Sequence, residues 1–133
     1  MPDRAAPLVL YVEDDRIHLL LMEEVFRMLP GWELRCAENG QEGLAALAEC
    51  RPDLVLVDMN LPDMTGLELA QWVRADTGLS ATLAGTRWVA LSADDPSDVV
   101  RAARAAGFDD YWLKPIEVPQ LQSRLRKLLG RGA

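Results

Sequence analysis

Residues 54–69 read "LVLVDMNLPDMTGLEL". Aliphatic residues run without interruption into Asp58, Pro62 marks a turn, and Gly66 opens a new apolar-periodic segment, so the stretch predicts a strand, a turn and a helix in succession. A strand with no polar alternation is buried on both faces, as in parallel sheets covered by helices on either side. An acid that ends such a strand, followed by Asn60, Leu61, Pro62 and a glycine-opened helix, is not explained by packing alone.

The same unit recurs along the chain. "LVLYV" (8–12) predicts a strand and "DRIHLLLMEEVFRML" (15–29) a helix with Asp15 as its N-cap. Pro30 and Gly31 break that helix, "WELRCA" (32–37) alternates like a second strand, and Asn39 and Glu42 have the capping-box form that opens a second helix, closed by Arg51 and Pro52. After strand 53–57 comes helix 66–76, then "TGLSATLAGT" (77–86), which reads as a loop long enough to be functional or mobile. "RWVALS" (87–92) is the fourth strand. Asp95 at an N-cap, Pro96 at the first helical position and Gly107 at a left-handed C-cap bracket helix 97–106, and "DYWL" (110–113) with a helix from Pro119 to Leu129 completes the pattern. Five βα units predict an α/β, doubly wound (βα)5 fold with a mainly parallel five-stranded sheet and helices on both faces.

A chain of 133 residues suits one domain, with a core over about 7–129. Half the residues are hydrophobic and 26% charged, which excludes disordered and fibrous classes. No apolar run is long enough to span a bilayer and no secretory signal opens the chain, so the expectation is a cytoplasmic protein without a membrane partner. Cys36 and Cys50 lack the spacing of a metal or redox pair and are expected as reduced, mostly buried thiols. A net charge of −7 argues against nucleic acid as a partner. The basic residues of the last helix, Arg124, Arg126, Lys127 and Arg131, complement its dipole.

Ligands of open parallel sheets bind beyond the carboxyl ends of the strands. Those positions hold Glu13, Asp14 and Asp15 after the first strand, Asp58 after the third, Ser92 after the fourth and Lys114 after the fifth. Crowded carboxylates repel one another unless a cation joins them, and few carboxylates with room for water and a phosphate oxygen suit Mg2+.

"LYVEDD", "LVLVDMNLPDMTGLEL", "VALSA" and "DDYWLKPI", in this order and at these strand ends, resemble the receiver domain of two-component response regulators over essentially the whole chain. The resemblance implies a flavodoxin-like fold with strand order 2-1-3-4-5 and matches Asp58 to the phosphoacceptor. It implies Mg2+ held by Asp14, Asp58 and the backbone carbonyl of Asn60, with Glu13 acting through a metal-bound water. Lys114, before a Lys-Pro peptide usually cis in the family, matches the lysine that pairs with the acceptor and then with a phosphoryl oxygen. Ser92 matches the switch hydroxyl, with Ala93 beside it in the phosphoryl-binding loop, and Tyr111 the aromatic that moves inward. Asn60 and Asp94 fall at positions that tune dephosphorylation, and their amide and acid resemble fast-turnover members.

The implied function is a phosphorelay module that takes a phosphoryl group onto Asp58. The implied donor is a histidine kinase or histidine phosphotransfer protein, meeting helix 1 and the active-site loops. Output would follow from the surface of helix 97–106, strand 110–113 and the last helix; homodimerisation stays open. Such a domain catalyses only its own phosphotransfer and autodephosphorylation. The alternatives are a receiver-like binding module that works without phosphorylation, which the complete acid, hydroxyl and lysine set disfavours, and an aspartyl-phosphate hydrolase of small molecules. The hydrolase would want a second acid where Asn60 stands, and a cap domain. The chain stops soon after the last helix, so no effector domain is expected, whether it stands alone or derives from a hybrid kinase.

Other residues carry less specific expectations. On helix 1, Ile17, Leu20, Leu21, Val25 and Met28 are enough to cover the core. That leaves Leu19, Met22, Phe26 and Leu29 as either a docking surface or a face covered by loops. His18 reads as a surface or partner-contact residue, Trp72 and Trp112 as core or rim, and Trp88 as packing.

Overall fold

The computed structural model describes residues 7–29, 31–92, 97–114 and 118–129. Among these residues lie five strands: β1 (Leu8–Val12), β2 (Glu33–Ala37), β3 (Leu54–Asp58), β4 (Arg87–Ser92) and β5 (Asp110–Leu113). The helices are α1 (Arg16–Arg27), α2 (Gly40–Cys50), α3 (Gly66–Ala75), α4 (Thr77–Thr82), α5 (Ser97–Ala105) and α6 (Val118–Leu129). The strands form one parallel sheet in the order β2-β1-β3-β4-β5. The order reverses between β1 and β3, which opens a crevice at their carboxyl ends.

Alternate residues of each central strand feed two separate cores. Leu10, Val12, Val55, Val57 and Ala90 pack with residues of α2, α3 and α5, whereas Val9, Tyr11, Leu54, Leu56 and Leu91 pack with α1 and α6. β3 is buried along its whole length, Asp58 included. Trp112 is buried, its ring lies under the Arg124 guanidinium at 5.3 Å, and its indole N–H donates to Asp110 at 2.8 Å. Trp88 packs on Phe108 with ring centroids 5.9 Å apart.

Helix termini follow their local chemistry. The Asp15 carboxylate accepts the Ile17 and His18 N–H groups and so caps α1, as expected. Asn39 accepts the Glu42 N–H at 2.8 Å, while Glu42 reaches back to the Glu38 N–H, one residue before the cap. Removing this acceptor in Asn39→Ala is expected to cost about 1 kcal/mol, read as a fall of about 4 °C in Tm. An unchanged Tm would mean that the Asp63 carboxylate, which accepts the Gly40 and Gln41 N–H groups, caps α2 by itself. Gly107 closes α5 at φ +102, where a side chain would be strained and would meet Arg74 at 3.1 Å. The proposed N-cap Asp95, Pro96, the breaker Pro30 and the Lys-Pro partner Pro115 lie outside the described residues.

Three expectations are corrected. The stretch 77–86 is not all loop: residues 77–82 form α4, opened by Asp76 accepting the Leu79 N–H and seated by the buried Leu83. Its Thr, Gly and Ser content hides a helix that one cap and one apolar anchor suffice to fix. On α1 the faces are reversed. Leu19, Met22, Val25, Phe26 and Leu29 are buried, and Ile17, Leu20, Leu21 and Met28 are 58–68% exposed. Both stripes are apolar, so periodicity could not choose between them. The choice rests on packing, with Phe26 set edge-on against Trp32 at 6.4 Å. Trp72, third, is 63% exposed and belongs to neither core. Cys36 and Cys50 are not joined in a disulfide, and each is half-buried.

Candidate functional site

Each chemically active side chain is set by the end of a strand. The ladder continues past the strand ends through Glu13 N–H to Ala37 (2.9 Å), Met59 N–H to Leu91 (3.0 Å) and Lys114 N–H to Ser92 (2.8 Å), fixing the backbone on which Glu13, Asp58 and Lys114 stand. Val12 pairs with Val57, so the residues that follow on β1 and β3 meet at the reversal point of the sheet. Gly66 lets α3 start hard against this edge, because a Cβ there would lie 2.8 Å from the Met59 sulfur and 3.1 Å from the Asp58 carbonyl oxygen. Thr65 and Glu68 form a reciprocal capping box that holds the same turn.

The charges are arranged around Glu13, which is 1% exposed. Its Oε1 accepts from the Tyr11 hydroxyl at 2.8 Å and from Lys114 Nζ at 2.5 Å, and its Oε2 accepts the Asp15 N–H at 3.2 Å. Lys114 Nζ lies 3.4 Å from Asp58 Oδ2, so the lysine faces both acids and sits closer to Glu13. His18 Nδ1 is 3.3 Å from Lys114 Nζ and 3.4 Å from Glu13 Oε1. Asp58 Oδ1 accepts the Asn60 N–H at 3.1 Å. A groove of about 330 Å3 between α1 and α6 opens beside Lys114 and His18.

Burial is the largest influence on both acids and pushes both upward. For Glu13 it is outweighed by hydrogen bonding with Asp58, Lys114 and Tyr11, and the carboxyl is held at about 2. Asp58 is pushed up to about 6 by burial, by its hydrogen bond with Glu13 and by the Glu13 charge, against the Asn60 N–H and Lys114. The cluster therefore holds one firmly ionised acid and one acid reluctant to ionise. Burial and then the Glu13 charge drive the Tyr11 hydroxyl far upward, which keeps it a neutral donor.

Glu13, Asp14 and Asp58 can each turn one carboxylate oxygen to within 4.8 Å of the others, with Asp14 exposed and the other two buried. Three hard carboxylate oxygens at the mouth of a crevice, with solvent on one side, fit a divalent ion that keeps part of its water. Among the described residues no buried side-chain nitrogen or oxygen lacks a hydrogen-bond partner.

The residues named from the sequence fall into three groups. Glu13, Asp14, Asp58 and Lys114 converge. Asn60 lies beside them, exposed, and Ser92 is buried at the end of β4, next to β3 in the sheet. Tyr111 is half-buried on β5 against the α2/α3 core. Ala93 and Asp94 lie outside the described residues. Sequence reasoning missed Tyr11 and the depth of His18's involvement. The spacing Tyr11-x-Glu13 was the available signal, since residues two apart on a strand share a face.

The sequence pattern of the response regulator receiver domain matches residues 9–126. Among curated relatives, the probable transcriptional regulatory protein TcrX of Mycobacterium tuberculosis is 35% identical over 94% of this chain and 51% of its own length. The chain thus spans about half the length of that relative. Among solved structures, the chemotaxis protein CheY4 of Vibrio cholerae superposes with a TM-score of 0.85 at 26% identity, covering 94% of this chain and 100% of that one. The receiver domain of the sensor histidine kinase PA1611 of Pseudomonas aeruginosa, whose structure has a magnesium ion coordinated in the active-site cleft, gives 0.79 at 25% identity, covering 95% and 99%.

Proposed function

The chain belongs to the response regulator receiver family, and from that premise we propose that it is a phosphoacceptor signalling module that takes a phosphoryl group from a phosphohistidine onto Asp58. The observation that carries this reading is the meeting of Asp58 with Glu13, Asp14 and Lys114 at one strand edge. An Asp58 oxygen forms the new O–P bond while the P–N bond of the donor breaks, the imidazole nitrogen keeping the electron pair. The rigid, buried β3 holds that oxygen in line, which is the main service a protein renders to phosphoryl transfer. Lys114, already facing Asp58, offsets charge on the transferred group. Mg2+, held by Asp14, Asp58 and the Asn60 carbonyl with Glu13 behind them, would neutralise the acids and hold a phosphoryl oxygen.

Ser92 and Tyr111 serve as the switch pair and change the surface of α5, β5 and α6 for an output partner. The donor, a histidine kinase or histidine phosphotransfer protein, docks beside Lys114 on α1, whose exposed Ile17, Leu20, Leu21 and Met28 supply an apolar contact. No helix among the described residues is long and apolar enough to cross a membrane, and a cytoplasmic site of action fits a phosphorelay. Asn60 and Asp94 give the phosphoryl group a short lifetime, which the decay of the adduct measures.

The test is intact mass after incubation with acetyl phosphate and Mg2+. A single phosphoryl adduct is expected, absent when EDTA replaces the metal. No adduct, together with no change in tryptophan fluorescence on adding beryllium fluoride and Mg2+, would overturn the reading in favour of a binding module that works without phosphorylation.

A further inference from the structure

We infer that Tyr11 is a positioning residue of the metal site, acting through Glu13. The inference rests on the receiver reading. Tyr11 belongs to the α1/α6 core and is 2% exposed, yet its hydroxyl ends at the carboxyl edge of the sheet, 2.8 Å from Glu13 Oε1. A buried tyrosine whose hydroxyl had only to be satisfied could use any carbonyl; this one uses the acid that faces the acceptor.

A carboxylate has about four lone-pair sites. On Glu13 the Tyr11 hydroxyl and Lys114 fill Oε1, and the Asp15 N–H takes one site on Oε2. Asp58 also hydrogen-bonds Glu13, so the capacity left for a cation is small, and Tyr11 and Lys114, by filling Oε1, steer it to Oε2. The Lys114 ammonium also faces Asp58 at 3.4 Å, so its hold on Glu13 loosens when a phosphoryl group arrives on that side. Tyr11 is neutral and fixed in the core, and keeps the carboxylate oriented through that exchange. Partners of this kind behind a metal ligand govern affinity by about 10–100-fold.

The contact depends on glutamate. An aspartate at this place would withdraw the carboxylate by about one carbon–carbon bond, ~1.5 Å. That carries the Tyr11 contact from 2.8 Å to beyond hydrogen-bond range. The tyrosine and the glutamate therefore form one device in this chain.

The experiment is a double-mutant cycle on Mg2+ affinity, read by tryptophan fluorescence for the wild type, Tyr11→Phe, Glu13→Asp and the double variant, with Tm in EDTA recorded for each. Tyr11→Phe keeps the ring in the core and is expected to weaken Mg2+ about tenfold, whereas in the Glu13→Asp background the same change shifts the Kd less than about twofold. Equal weakening in both backgrounds would assign Tyr11 a merely structural role, and unchanged affinity in the single variant would remove it from the site. A wild type that binds no Mg2+ would instead overturn the receiver reading.

Discussion

Replacing Asp58 with asparagine abolishes the acetyl phosphate adduct and, in metal-free buffer near pH 7, makes the fold more stable. The first effect is chemical: an amide oxygen of similar shape is no nucleophile toward phosphorus, and the carboxylate already present on Glu13 is tied to Tyr11, Lys114 and the Asp15 N–H. The second follows from the raised Asp58 carboxyl, at about 6 against an ordinary 3.8. An acid that ionises less readily when folded costs the fold stability as pH rises through that window, and the full cost stands above pH 6. Below pH 4 the cost is gone. Asp58→Asn is therefore expected to gain about 1–2 kcal/mol at pH 7 and almost nothing at pH 4, the gain trimmed because the new amide hydrogens face Lys114. Intact mass and thermal unfolding in EDTA at the two pH values read both effects. An adduct on the variant would move the acceptor elsewhere, and an equal Tm difference at both pH values would mean that Asp58 is not held against its charge. Active sites commonly give up stability in this way.

That strain is also why Asp58 stood out in the sequence. An acid at the end of an all-aliphatic strand contradicts the pattern around it, and such contradictions gather at functional sites. The parallel sheet was legible for a related reason: β1 and β3 are apolar without alternation, and β4 occupies residues 87–92 as expected. Two of the three readings that failed did so where local pattern is silent. α1 carries two apolar stripes, and which one turns inward is decided by packing partners such as Trp32 and the strands beneath, far away in sequence. α4 contains residues that favour turns, and the buried Leu83 that seats it looks no different from any other leucine. Within the site, the strand-end acids and Lys114 could be listed from the sequence. That Lys114 leans on Glu13, at 2.5 Å, more closely than on Asp58, at 3.4 Å, depends on side-chain reach and on the extra methylene in glutamate.

That preference leads to an expectation of opposite signs for Lys114→Met. The stem is kept and the charge removed, so phosphoryl transfer to Asp58 is expected to fall about 10²–10³-fold, the usual loss for one well-placed donor to a developing charge. Mg2+ affinity should rise. The ammonium competes for Glu13 at 2.5 Å and repels a dication from the Asp58 side at 3.4 Å. Even with the screening of a hydrated site, one unit charge at such range corresponds to about tenfold in affinity. Without metal the variant leaves Glu13 1% exposed with no lysine beside it, held by the Tyr11 hydroxyl and the Asp15 N–H next to Asp58 and His18. Breaking a buried pair from one side costs about 3–5 kcal/mol, so a large fall in Tm is expected in EDTA, mostly restored by Mg2+. The wild type, whose Glu13 is already paired, should gain much less from the metal. A fluorescence titration and thermal unfolding with and without Mg2+ decide the matter. If the variant bound Mg2+ no more tightly than the wild type, Lys114 and the metal would not share Glu13, and the lysine's place beside that acid would be packing without consequence for the site. If it bound more tightly and transferred more slowly, the same ammonium would have been shown to hold the acids together before the metal arrives and to serve the phosphoryl group afterwards.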